Sequence, residues 1–177
     1  IPVAHVEAGL RCGDEWMPEE INRRLTDSLS SWLFAHSLSS CCNLVREWIE
    51  RIRVYFVGNV MIDTLKAAIP LTKCADTCLK YGVNPGALGL VTLHRPVNVD
   101  DREQLAMILG ALAQVSETYD LIWPLHPRAR KQMAEFGLAE KAGKIAGLRI
   151  TEPLGYLECV ALTRSAAVVI TDSGGLQ

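Results

Sequence analysis

Three stretches of this sequence gather charged and polar side chains just where an apolar run ends. The densest, HVEAGLRCGDEWMPEEINRRLTD over residues 5–27, supplies the carboxylates Glu7, Glu19 and Glu20 and the guanidinium groups Arg11, Arg23 and Arg24. Carboxylates of tuned acidity can take a proton from a weakly acidic carbon and return it, and fixed positive charge can stabilise a departing anion. A plainer reading covers part of the stretch. Glu19 and Arg23 stand four apart, as do Arg23 and Asp27, which is the spacing of ion pairs on a helix surface. Glu7 has no such explanation, because it precedes Ala8-Gly9 in a loop. The residues alone leave the two readings even.

The second stretch is VTLHRPVNVDD, residues 91–101, where His94 and Arg95 come at the end of a strand. A histidine there can donate to phosphate or move a proton, and an arginine can grip a phosphate through two parallel hydrogen bonds. Both side chains are equally explained by simple exposure on a loop. The third is VVITDSGGLQ, residues 168–177. Ser173, Gly174 and Gly175 could let backbone amides approach an anion, although a tight turn is the default for such a sequence. It is neither GxxxxGK[ST] nor GxGxxG, so it gives no support to a nucleoside-triphosphate loop or to NAD binding. His126, in WPLHPRAR, could meet a ligand or fill a strand-end turn, and His36 reads as structural. There is no HExxH, no metal-ligand Cys/His spacing and no GxSxG, so no metal or cofactor is expected.

These stretches need elements to hold them. Short apolar runs at 2–6, 32–35, 54–57, 88–93, 120–124, 148–151 and 166–171 read as strands buried on both faces. Helical patterns lie between them at about 18–30, 39–51, 60–69, 101–118, 128–137 and 155–164. Pro18 followed by Glu19 and Glu20 suits a helix start, and Asp100 or Asp101 can cap the helix striped by Leu105, Ile108, Leu109 and Leu112. Strand–helix alternation of this kind predicts an α/β protein with parallel sheets and helices on both faces. A connector with a turn is expected over 71–87, which divides the chain into 1–70 and 88–177, with a ligand cleft between two α/β units at the carboxyl ends of their strands.

The bulk properties narrow the function classes. The net charge of −2 gives no general attraction to nucleic acid or an acidic membrane, and no run approaches the roughly 18 apolar residues that span a bilayer. The scattered Trp read as packing residues rather than a base-stacking platform. Six cysteines without a CxxC pair predict free thiols in a reducing cytoplasm. A chain that opens inside an apolar run and stops after a Gly-Gly turn is expected to be a piece of a longer protein.

In order along the chain, HVEAGLR, MPEEINR, VGNVMIDTL, TLHRPVNV, PLGY and TDSGGLQ resemble the non-hydrolysing UDP-N-acetylglucosamine 2-epimerases. The resemblance covers nearly the whole chain, and six blocks in sequence make it specific. It implies a glycosyltransferase-B-like fold, with parts of two Rossmann-like domains. It also implies interconversion of UDP-GlcNAc and UDP-ManNAc through loss and re-addition of UDP, without a cofactor, in a cytoplasmic homodimer. By position, Glu7 and Glu19 match the catalytic carboxylates, Arg23 a residue that orients them or binds phosphate, and His94 the histidine beside the leaving phosphate. Ser173, Gly174 and Gly175 match the diphosphate-binding turn, and Arg95 and His126 match positions that help bind a second, allosteric UDP-GlcNAc in bacterial members. Val97 departs from the glutamate common there, and a phosphate loop and a catalytic aspartate of the family would lie before Ile1, so the isolated chain is expected to be inactive. A sugar transferase of the same fold and a non-catalytic UDP-sugar-binding protein are the alternatives.

Overall fold

The computed structural model describes residues 1–174 and Leu176. The chain divides into two compact units, Ile1–Ala67 and Ala68–Gln177. Among the described residues no helix is long and apolar enough to cross a membrane.

The first unit is a parallel sheet of β1 (Ala4–Val6), β2 (Trp32–Ala35) and β3 (Val54–Phe56), in that order. Helix α1 (Pro18–Leu29) joins β1 to β2, α2 (Leu38–Arg46) and a 3-10 turn at Arg51–Arg53 lead to β3, and α3 (Val60–Ala68) follows. Proline at the first position and two glutamates in the first turn start α1 as expected. Its faces are the reverse of an ordinary amphipathic helix. The buried positions include Glu20 and Asp27, seven residues and so two turns apart, while Ile21, Leu25 and Leu29 are 46%, 56% and 76% exposed. Helix α2 starts where Ser37 Oγ accepts from the Ser40 amide at 3.1 Å. It stops at Arg46 rather than near residue 51, because Trp48 turns left-handed at φ 62°. The Trp48 and Ile49 amides then close back on the Val45 and Leu44 carbonyls at 3.1 and 3.0 Å, a Schellman end made without glycine.

The second unit carries β4 (Leu88–Thr92), β5 (Asp120–Pro124), β6 (Leu148–Thr151) and β7 (Val168–Thr171), all parallel, in the order β6-β5-β4-β7. Before the sheet comes α4 (Cys74–Tyr81), within the stretch read as a connector; its Cys78, with Val83, packs against Leu88, Leu90, Ile122 and Leu162. Between strands lie α5 (Pro96–Val99), α6 (Arg102–Val115), α7 (Pro127–Glu135), α8 (Ala139–Gly143) and α9 (Tyr156–Ser165). Asp101 caps α6 by accepting from the Gln104 amide at 2.7 Å. Val91, Leu121 and Trp123 point to a second apolar cluster with Leu105, Leu109 and Leu112, so the sheet is buried on both faces. That double burial is why the central strands β4 and β5 read as apolar runs. A Cβ at Gly89 inside β4 would stand 2.4 Å from Leu121 Cδ2, so the Leu121 side chain would have to shift to admit one.

The topology marks a place for ligands in this unit. The chain steps from β4 outward to β5 and β6, then returns to lay β7 on the other side of β4. The direction of winding therefore reverses between β4 and β7, and open parallel sheets bind ligands outside the carboxyl ends of the strands at such a reversal.

Candidate functional site

In the first unit the loop after β1 is built around a buried carboxylate. Glu7 adopts φ 67° and Gly9 φ 79°. Glycine is doubly required at position 9, because a Cβ would also meet Ser40 O at 2.3 Å, where α2 crosses close by. The Gly9 amide donates to Asp27 Oδ2 at 3.1 Å, and its carbonyl accepts from Asn43 Nδ2 at 3.0 Å. Asp27, fully buried on α1, also takes His5 Nδ1 at 2.6 Å and Arg11 Nη2 at 2.8 Å. Arg11 extends the clamp to α2 through a two-pronged contact with Glu47, at 2.7 and 2.5 Å. The Glu47 hydrogen bonds hold the Arg11 pKa above its ordinary value against the opposing effect of burial, with Asp27 adding to the rise. The same bonds depress the Glu47 carboxyl.

Glu20 is the second buried carboxylate. It accepts from the Cys12 amide at 3.2 Å, the Cys12 thiol at 3.4 Å and Arg23 Nη1 at 3.4 Å. Burial pushes its pKa up, but those hydrogen bonds and the charge of Arg11 outweigh it, leaving the carboxyl below its ordinary value. Its Oε1 is buried without a hydrogen bond, with Arg24 Nε at 3.8 Å and Arg11 Nε at 3.9 Å.

The helix-surface pairs that spacing allowed do not form. Arg23 reaches Glu20 rather than Glu19, and Asp27 is taken up by His5, Gly9 and Arg11 rather than by Arg23. Among the described residues, neither Glu7 nor Glu19 makes an ion pair or a side-chain hydrogen bond. The network thus occupies Arg11 with Glu20, Asp27 and Glu47, while Asp14 accepts from the Trp16 amide and Glu15 pairs with Arg24, so that of the carboxylates in the stretch Glu7 and Glu19 are left uncommitted. Glu7 is half-buried in its left-handed loop, and Glu19 is exposed in the first turn of α1.

In the second unit the polar groups collect at the reversal point. Thr92 and Thr171 lie in register at the ends of β4 and β7, with their hydroxyls 2.7 Å apart, and Thr171 Oγ1 also accepts from the Ser173 amide at 2.9 Å. Asp172 reaches across to the loop after β4. It accepts from the His94 amide at 2.9 Å, the Arg95 amide at 2.8 Å and Asn98 Nδ2 at 2.9 Å, and meets His94 Nδ1 at 2.8 Å. Burial raises the Asp172 pKa, and the hydrogen bonds from Arg95, Asn98 and His94 more than reverse it. His94 and Arg95 are exposed, and among the described residues the Arg95 guanidinium makes no ion pair. His126 lies with its ring centroid 6.1 Å from that of His94. It does fill the strand-end turn, capping α7 as Nδ1 accepts from the Arg128 amide at 3.2 Å, which leaves its Nε2 exposed. Ser173 and the exposed Gly174 begin a turn in which the Leu176 amide meets Ser173 O at 3.1 Å, whereas Gly175 lies outside the described residues.

The structure therefore brings His94, Arg95, His126, Ser173 and Gly174 to one edge of the second sheet, and Glu7, Glu19 and Arg23 to the loop and helix after β1. Three organising residues were missed from sequence: Asp27, Glu47 and Asp172. The one signal for Asp172 is an acidic residue directly after an apolar strand.

A family model described as UDP-N-acetylglucosamine 2-epimerase matches residues 1–177. The chain is 41% identical over 182 residues to the UDP-N-acetylglucosamine 2-epimerase of Methanocaldococcus jannaschii, covering 100% of the chain and 50% of that relative. It is 38% identical over 180 residues to the UDP-2,3-diacetamido-2,3-dideoxy-D-glucuronate 2-epimerase of Pseudomonas aeruginosa, covering 100% of the chain and 48% of that relative. Among solved structures, the M. jannaschii UDP-GlcNAc 2-epimerase in complex with UDP-GlcNAc and UDP superposes with a TM-score of 0.86 at 40% identity, over 99% of this chain and 49% of that one. The chain thus spans about half the length of the relatives it matches. Both units have the α/β, glycosyltransferase-B-like architecture of these relatives.

Proposed function

We propose that this chain, which belongs to the UDP-N-acetylglucosamine 2-epimerase family, carries part of the active site for inversion at C2 of UDP-N-acetylglucosamine, giving UDP-N-acetylmannosamine. One carboxylate removes the C2 proton while the C1–oxygen bond to UDP breaks, and the electron pair forms the C1–C2 double bond of 2-acetamidoglucal. A proton then returns to the opposite face of C2 as UDP re-adds to C1. The reaction is redox-neutral and consumes no water. Glu7 and Glu19 are assigned as the proton-transferring carboxylates, with Arg23 beside them. His94, Ser173 and Gly174 are assigned to the diphosphate.

The observation that carries this reading is the uncommitted state of Glu7 and Glu19 inside a stretch whose other carboxylates are bound to cations or amides. A network built for stability alone would have used them. The test is solvent exchange. The complete protein carrying this sequence is incubated with UDP-GlcNAc in D2O, and C2 is followed by NMR. Deuterium enters C2 with no acceptor present, and Glu7→Gln or Glu19→Gln slows its entry by about 10²–10⁴-fold, the usual range for a general acid or base. Binding without exchange would point instead to a transferase or a sugar-nucleotide-binding protein. The isolated 177-residue chain, spanning half of its relatives' length, is expected to show no turnover.

The P. aeruginosa relative favours a second reading of the sugar, because 38% identity to it is close to the 41% shared with the M. jannaschii enzyme. The same assay with the 2,3-diacetamido glucuronate nucleotide separates the two, since the true substrate exchanges C2 faster.

A further inference from the structure

Arg23 stands four residues after Glu19 and three after Glu20, so helix spacing offers it either carboxylate. It takes Glu20. Arg23 Nη1 donates to Glu20 Oε2 at 3.4 Å, and among the described residues the guanidinium has no other partner. The choice follows from burial. Glu19 is exposed, and an exposed ion pair must hold two long side chains still while water screens the charges. Glu20 is fully buried, and the Cys12 amide at 3.2 Å and the Cys12 thiol at 3.4 Å already fix its Oε2. The nearby cations do not compete for that oxygen. Arg11 donates to Asp27 and Glu47, Arg24 donates to Glu15, and their Nε atoms stand 3.9 and 3.8 Å from the other oxygen, Oε1.

We propose that Glu20 is a positioning residue that diverts Arg23 from Glu19: it draws the guanidinium toward the loop after β1 and leaves the Glu19 carboxylate free for the sugar. This deepens the function proposed above and rests on its assignment of Glu19 and Arg23. Consecutive helix positions point about 100° apart, so Glu20 turns inward while Glu19 faces solvent. Arg23 is thereby held through one N–H, and the remaining donors of its fork are available to an anion.

Glu20 acts through other residues and is not itself a proton carrier. Burial raises its pKa, but the Cys12 and Arg23 hydrogen bonds and the charge of Arg11 carry it below the ordinary value, so it is an anion at neutral pH. Cys12 belongs to the same arrangement. Its amide and thiol join the loop that carries Glu7 to the helical turn that carries Glu19.

The test is NMR of the arginine side chains in the complete protein labelled with 15N-arginine. Glu19 is exposed, so Glu19→Gln keeps the fold, and it is expected to leave the Arg23 guanidinium signals where they are. Glu20→Gln keeps the shape and an oxygen for the Cys12 amide, but sets a neutral acceptor against the full charge of Glu19. The Arg23 signals are then expected to shift as the guanidinium turns to Glu19. Adding Glu19→Gln to that variant should shift them again, because the fallback partner is gone. Arg23 signals that respond to Glu19→Gln alone, that ignore Glu20→Gln, or that ignore Glu19→Gln in the Glu20→Gln protein would each overturn the proposal. The first of these outcomes is read without altering any buried residue. Deuterium exchange at C2 tests the underlying reading separately. Glu20→Gln should slow exchange at saturating UDP-GlcNAc at least about tenfold, the loss of one charge-assisted contact. Exchange that stays fast although Arg23 has turned to Glu19 would remove both residues from the reaction without touching the diversion.

Discussion

Replacing Asp27 by alanine strips the acceptor from three groups at once: His5 Nδ1, the Gly9 amide and Arg11 Nη2. Two of these are neutral or backbone donors, and each buried donor left without a partner costs about 1–3 kcal/mol. The third is a guanidinium only 9% exposed. Removing one partner of a buried ion pair costs about 3–5 kcal/mol when the other charge is left stranded. Here Glu47 keeps its two contacts to Arg11, so the charge is not stranded, and water can enter the vacated space beside His5. The sum is therefore held near the pair value, about 3–5 kcal/mol, for Asp27→Ala. Asp27→Asn preserves an acceptor for Gly9 but loses the charge, and about 2 kcal/mol is expected. With a urea dependence of about 2 kcal/mol per M, the alanine variant should lose about 2 M in midpoint and the asparagine variant about half that. The indole N–H resonances resolve the event, since Trp16, Trp32 and Trp48 lie in the first unit and Trp123 in the second. A shift below about 0.5 M for the first-unit indoles in Asp27→Ala would refute the claim that this carboxylate organises the loop.

Gly9→Ala and Gly13→Ala share nearly the same backbone angle, φ 79° and 80°, but only position 9 has Ser40 O and Leu44 in the way. Strain from the angle alone is about 1–3 kcal/mol, so Gly13→Ala should stay in that range and Gly9→Ala exceed it by urea unfolding; equal losses would mean α2 does not press on the loop. Acid should loosen the second unit partly through Asp172. Its folded pKa lies below its unfolded value, so its contribution is complete above about pH 4 and fades as pH falls through the folded value. Asp172→Asn should therefore give a flatter loss of stability below about pH 4, followed at Trp123, and an unchanged acid slope would contradict that linkage. Glu47, depressed by Arg11, predicts the same sign at the first-unit indoles, with Glu47→Gln as the flattened variant.

Much of the fold was legible because of how its sheets are buried. Strand β5 occurs at the expected 120–124, since residues packed on both faces leave no polar alternation to blur an apolar run, and the edge strand β6 occurs at the expected 148–151 with Leu148 and Ile150 inward and Arg149 exposed. The Pro-Glu-Glu signal at α1 and the aspartate cap of α6 were equally local and equally readable. What failed was not local. Nothing in the sequence marks Trp48 as the left-handed end of α2, because that conformation usually announces itself with glycine. Helix α1 misleads in another way: its buried positions, Glu20 and Asp27, are acidic, so hydrophobic spacing does not mark the face that packs in this chain. That acidic face makes sense only once Arg11, seven residues before α1 starts, is seen lying against the helix.

The same reasoning explains why the candidate residues could be picked out while their geometry could not. In both units an aspartate from a later element lies against the Nδ1 of a histidine at or just after a parallel strand, and the same aspartate accepts a backbone amide of the strand-end loop. For His5 and Gly9 that residue is Asp27, 22 positions from His5; for His94 and Arg95 it is Asp172, 78 positions from His94. The loops advertise themselves through clustered histidine, arginine and glutamate. Their organisers are single aspartates that lie in the same polar stretches but are brought close to the histidines only by strand order: β2 beside β1 returns the chain that carries α1, and β7 beside β4 delivers Asp172. A carboxylate in this position does two things that a surface ion pair cannot. It satisfies amides that burial would otherwise leave unpaired, and it ties the strand-end loop to an element far along the chain. The candidate residues are thus visible in the sequence, whereas the residues that hold their loops belong to the topology.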